Sequence, residues 1–88
     1  RARLAFYNLL DTKLSLLTKQ GKSILGPIDS GASALREVNA VRASFGVGEE
    51  SKLLATTPAM ILKRGQVTSL FVLNVGGQPH IAVVESVQ

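Results

Sequence analysis

Apolar residues in the first part of the chain fall at Leu4, Tyr7, Leu10, Leu14 and Leu17, three or four positions apart, with Phe6 and Leu9 widening the stripe. That spacing puts side chains on one face of an α-helix, so residues 1–20 are predicted as a helix packed inward. Lys13 to Thr18 reads equally well as a strand. Gln20-Gly21 breaks the pattern, and the short apolar run Ser23 to Ile28 is interrupted by Gly26-Pro27. Proline lacks an amide donor and restricts the residue before it, which suits an edge strand or an irregular segment. Asp29 to Ser33, DSGAS, is turn chemistry, because Asp and Ser bond nearby backbone amides and Gly31 permits positive φ.

From residue 36 to residue 88 the pattern is one of β-strands. Arg36 to Phe45 alternates Asn39, Val41, Ala43 and Phe45 against Val38, Ala40, Arg42 and Ser44, and Gly46 to Ser51 is expected to be a polar loop. Lys52 to Thr57 is a compact strand closed by Pro58, and Ala59 to Leu62 runs apolar into the turn Lys63-Arg64-Gly65-Gln66. Val67 to Val75 is the strongest strand, followed by the hairpin signal Gly76-Gly77 and a return strand from His80 to Val87. These elements predict a mainly β (or α+β) single domain or fragment: a small barrel or sandwich of about five strands, with the N-terminal helix as an option.

Composition narrows the partners more than the chemistry. At 88 residues a core is marginal, and a partner surface or the rest of a longer protein would add stability. The start at Arg1 without Met fits a mature or excised fragment. A net charge of +4 permits an acidic partner, but the basic residues are scattered, and only Lys63-Arg64 is an adjacent pair. No aromatic residues alternate with them as a stacking platform requires, so nucleic acid is not an expected partner. Zero cysteines removes disulfides and thiolate metal sites and leaves the redox compartment open. No apolar run approaches the roughly 18 residues of a membrane span, and no signal peptide is visible.

Most short motifs dissolve on inspection. Gly21-Lys22-Ser23 matches the end of a phosphate-binding loop, but Leu16 stands where its first Gly should fall. Gly46-Val47-Gly48 is half of a dinucleotide fingerprint, with Ser51 in place of the third Gly. His80 is the single histidine, which leaves neither a two-His metal site nor a cofactor to expect. Glu49-Glu50 reads as a solvated acidic tip rather than a carboxylate pair.

Ile28-Asp29-Ser30-Gly31-Ala32-Ser33, with apolar Ile24 and Leu25 before it, resembles the active-site loop of retroviral-type aspartic proteases. That resemblance implies a homodimer in which two copies of Asp29 share a proton and activate water, with Ser30 and Gly31 fixing the loop. Pro27 departs from the family pattern, and Val83-Val84 is followed by Glu85 rather than by the glycine the family uses to support its loop.

A longer stretch carries the functional expectation. Val41-Arg42-Ala43, Phe45, Val47-Gly48-Glu49-Glu50, Leu53-Leu54, Pro58-Ala59, Ile61, Arg64-Gly65-Gln66, Thr68, Phe71-Val72 and Gly76-Gly77 follow one another as a defined series. In that order they resemble the C-terminal β-barrel and membrane-proximal region of periplasmic adaptors, or membrane fusion proteins, of resistance-nodulation-division efflux pumps. Thr57 and Met60 depart from that pattern, and residues 1–35 are left without a role. The resemblance implies a non-enzymatic, oligomeric periplasmic protein without cofactors, held at the inner membrane through its parent. It would dock an inner-membrane transporter and help bridge it to an outer-membrane channel. The expected contacts are the turns Lys63, Arg64 and Gln66 at one end and Gly76, Gly77 and Gln78 at the other.

Overall fold

Ten β-strands form in the computed structural model, which describes residues 1–49 and 52–87. They are β1 (Ala2–Asn8), β2 (Leu14–Thr18), β3 (Ser23–Ile28), β4 (Ser33–Val38), β5 (Arg42–Ala43), β6 (Phe45–Glu49), β7 (Lys52–Thr56), β8 (Met60–Ile61), β9 (Gln66–Val75) and β10 (Gln78–Val87). One four-stranded sheet has the order β10-β9-β1-β4 and the other β3-β2-β6-β7, while β5 and β8 make a two-stranded bridge. The fold is therefore an all-β sandwich, with more strands than the expected five. Every pairing is antiparallel except β1 with β9.

The helix expected over residues 1–20 does not form; β1 and β2 occupy that stretch. The same residues also carry a two-residue period, with Ala2, Leu4, Phe6 and Asn8 buried on one side and Arg3, Ala5 and Tyr7 on the other, where Arg3 and Tyr7 are half-buried and Ala5 is buried. Strand wins because β1 is flanked on both sides, by β4 and by β9, and its backbone groups are satisfied in the middle of a sheet. Leu10, Leu14 and Leu16 then join Leu4, Phe6, Phe45, Val47, Leu62, Leu70 and Val72 in the single core between the sheets.

Arg36 to Phe45 is not one strand either. β4 belongs to the first sheet and β6 to the second, so the chain turns a corner between them, and Val41 N–H donates to the Asn39 carbonyl at 3.0 Å. The expected loop at Gly46 begins instead as a buried strand: β6 runs through Gly46, Val47 and Gly48 between β2 and β7. A Cβ on Gly48 would collide with the Lys52 carbonyl, so glycine there serves close strand approach rather than a loop. Glu50 and Ser51, which completed the acidic tip and the dinucleotide comparison, lie outside the described residues.

The remaining strands follow their local chemistry. β7 stops before Pro58, and Thr57 is buried where its backbone N–H donates to the Phe45 carbonyl at 2.8 Å and its Oγ1 accepts from Phe45 N–H at 3.0 Å. β9 and β10 pair without a bulge along their length, joined by Gly76 and Gly77 at φ 59 and 80, as a two-residue hairpin of the type I′ class requires.

Candidate docking surface and the predicted site residues

The Asp-Ser-Gly segment is the β3–β4 turn. Ala32 N–H donates to the Asp29 carbonyl at 3.0 Å, and Gly31 takes φ 78. The Asp29 carboxylate projects into solvent, 74% exposed, 3.8 Å from the Lys13 ammonium. An ion pair between two such exposed side chains contributes close to nothing. Ser30 Oγ donates to the Leu10 carbonyl at 2.5 Å, and Gly31 N–H donates to the Asn8 carbonyl at 2.8 Å. This turn is tied down by its neighbours, with its one aspartate facing outward.

The residue that fixes it is Asn8, which sequence reading passed over. Its side chain is fully buried at the end of β1. Nδ2 donates to the Thr12 carbonyl at 2.8 Å and to the Ile28 carbonyl at 3.0 Å, while Oδ1 accepts from Leu10 N–H at 3.0 Å. One amide thereby holds the β1–β2 loop to the end of β3. A lone Asn inside an apolar run was the available signal, since a buried amide must find partners.

Lys63 and Arg64 are exposed in the β8–β9 turn, with Gln66 N–H donating to the Lys63 carbonyl at 3.2 Å. Gly76, Gly77 and Gln78 form the exposed β9–β10 turn. The whole of β9 separates these two groups, roughly 30 Å at the usual rise per residue, so they are two ends of one molecule and not one site. Gly21-Lys22-Ser23 closes the β2–β3 hairpin, where Thr18 N–H donates to the Lys22 carbonyl at 2.7 Å. His80 is exposed on β10.

Cross-strand register assembles a surface that none of these motifs announced. On the outer side of the β10-β9-β1-β4 sheet, Leu35, Ala5, Ser69 and Val84 form one row across four strands, and Ser33, Tyr7, Phe71 and Ala82 form the next. The Tyr7 and Phe71 rings stack at a centroid distance of 4.5 Å and an angle of 8°. Leu35, Val75 and Val84 are all at least half exposed around them. An outer sheet face normally alternates to polar residues. Here the middle of the face is mostly apolar, with Ser33 and Ser69 in the two rows, and the polar residues Arg3, Glu37, Gln78, His80 and Ser86 lie around it.

Two clefts open elsewhere. One of about 400 Å³ has Phe45 and Leu62 in its lining with Arg36 and Glu37, and the Arg36 guanidinium donates to the Ile24 carbonyl across the two sheets. The other, about 520 Å³, is lined by Thr12, Lys13, Ser15, Pro27 and Glu49, where Thr12 Oγ1 donates to Glu49 Oε1 at 2.9 Å. The Thr12–Glu49 hydroxyl–carboxylate contact is exposed to solvent, and no third orienting group accompanies it among the described residues. Among the described residues no three His, Asp or Glu side chains come together as metal ligands would.

No protein-family model matches the chain, and no curated protein does. Among solved structures it is similar to the C-terminal domain of AlgF from P. aeruginosa, with 26% identity over 98% of each chain and a TM-score of 0.84. That likeness takes in the β1–β4 region as well as the strands after Val41, and it makes this chain a β domain of the same architecture as that C-terminal domain.

Proposed function

We propose that this chain is a non-enzymatic docking domain that binds a protein partner through the outer face of the β10-β9-β1-β4 sheet. The observation that carries the reading is the apolar row structure around the Tyr7–Phe71 stack, on a surface where a solvated sheet would be polar. Aromatic side chains at the middle of such a patch provide large contact area with little conformational entropy to lose. Asp29, solvated beside Lys13, supports this reading over a protease, because a shared proton needs two carboxylates pressed together out of water. The likeness to a C-terminal domain fits a module that works within a larger protein.

Charging the face tests it. Leu35→Asp combined with Val75→Asp replaces two exposed side chains, so the fold should survive while affinity for a stoichiometric co-purifying partner falls at least about tenfold. Asp29→Asn should leave that affinity unchanged. Undiminished binding by the double variant would refute the assignment.

In its finer form the partner is an inner-membrane efflux transporter, in the periplasm, with the Lys63–Gln66 and Gly76–Gln78 turns touching neighbouring subunits. Lys63→Glu with Arg64→Glu should then weaken pump assembly without altering the melting temperature. Unchanged co-purification with the transporter would remove those turns from the contact.

A further inference from the structure

We infer that β10 is a self-pairing edge, through which two copies of this chain join antiparallel about a dyad and fuse their β10-β9-β1-β4 sheets into one continuous sheet. The β10 edge is a second partner surface, which meets the outer face only along β10, where Ala82 and Val84 belong to both.

β10 is the outermost strand of its sheet, ten residues long and regular throughout. β7 packs near it from the other sheet without hydrogen-bonding to it. Edges that must stay single are guarded by Lys, by central Pro or by bulges. β10 has no Lys or Arg, its Pro79 is at the second position, and its pairing with β9 has no register shift. Val83, Val84 and Val87 are exposed at 41%, 50% and 79%, although Val84 points to the opposite side of the sheet from the other two.

The hairpin fixes which backbone groups are free. In a two-residue turn the flanking residues, here Val75 and Gln78, exchange both hydrogen bonds, and bonded and non-bonded pairs then alternate. His80, Ala82, Val84 and Ser86 therefore turn their N–H and C=O groups toward β9. Ile81, Val83, Glu85 and Val87 turn theirs outward, as a free template.

That template is complementary to itself. A dyad normal to the sheet pairs positions of like parity, so the outward-facing set of one copy meets the same set of the other. Centred on Val83, the ladder sets Val83 against its copy, Ile81 against Glu85, and Ala82 against Val84. At each end Val87 meets Pro79, whose missing amide stops the pairing. The one charge, Glu85, is never opposite itself. β9 and β10 contain no Lys or Arg, so the paired strands themselves set no two cations against each other. The contact is isologous and uses the same edge in both copies, which closes a dimer rather than seeding a fibre.

Sedimentation equilibrium of the 88-residue chain from about 10 μM to about 1 mM, the range expected for so small an interface, should show a monomer–dimer equilibrium. Val83→Lys brings two ammonium groups face to face at the dyad, and Val83→Pro removes an outward N–H without touching the bonds to β9. Each should weaken dimerisation at least about tenfold with an unchanged circular dichroism spectrum; should the proline variant fail to fold, the lysine variant decides. A wild-type chain that stays monomeric at the top concentration overturns the inference, as does a folded Val83→Lys protein that dimerises like wild type. Leu35→Asp with Val75→Asp should leave this dimer intact. A monomer that still captures its partner through the outer face would refute only the edge, and a dimer whose partner binding ignores the double variant would refute only the face.

Discussion

Phe6→Ala is expected to destabilise the domain by about 3–5 kcal/mol, the range for removing a fully buried aromatic side chain from a packed core. Phe6 is 0% exposed at the middle of β1, the strand that β4 and β9 flank. Its inward row contains Ala34 and Leu70, so the neighbours on either side are too small or too fixed to fill the void. Only three other Phe and Tyr residues exist in the chain, and there is no Trp, so little aromatic volume is available for compensation. Small domains are stable by about 5–15 kcal/mol, and the loss would consume much of that margin. Urea denaturation should show a much lower midpoint with an unchanged slope, whereas Leu35→Ala, on the exposed outer face, should shift it little. A cost below about 1 kcal/mol for Phe6→Ala would mean that the two sheets do not close on this residue as described.

Asn8→Ala should cost about 3 kcal/mol, through polarity rather than volume. Truncation leaves the buried Leu10 amide and the part-buried Thr12 and Ile28 carbonyls without their partner, and each unsatisfied group costs about 1–3 kcal/mol before water relieves part of it. The loss should also be local. Hydrogen exchange at the Leu10 and Gly31 amides should accelerate more than exchange in the β9–β10 hairpin, because Asn8 anchors the β1–β2 loop and the β3–β4 turn. Ser30→Ala, which removes a single bond from an exposed turn residue, should cost under about 1 kcal/mol. Equal exchange rates at Gly31 in wild type and Asn8→Ala would show that the turn holds itself.

The two predictions depend on structure of different legibility. Phe6 sits in an apolar run and any reading of the chain makes it a core residue, whatever element it occupies. Asn8 acquires its role only when Thr12, Ile28 and Leu10 converge on it, and Ile28 comes from a different strand. The candidate surfaces divide in the same way. Lys63–Gln66 and Gly76–Gln78 are visible as turns from their Gly residues, while the row Leu35, Ala5, Ser69 and Val84 draws its members from four separated strands and needs the register to exist. The Tyr7–Phe71 stack likewise depends on a parallel pairing between strands at opposite ends of the chain.

Turn chemistry and alternation settle the hairpin of β9 and β10, the stop at Pro58, the Asp29–Ser33 turn and the all-β character of the second half, because each is decided within a few residues by backbone sterics and donor supply. Tertiary structure decides the fate of residues 1–20, which carry both a helical and a strand period; the partners that select the strand at β1, Ser33–Val38 and Val67–Val72, are far along the chain. It also decides that Gly46, Val47 and Gly48 are buried in a strand, since only the closeness of β7 shows why those glycines have no side chain. Local rules fix where the backbone can bend, and burial fixes which of two permitted conformations satisfies its hydrogen bonds away from water.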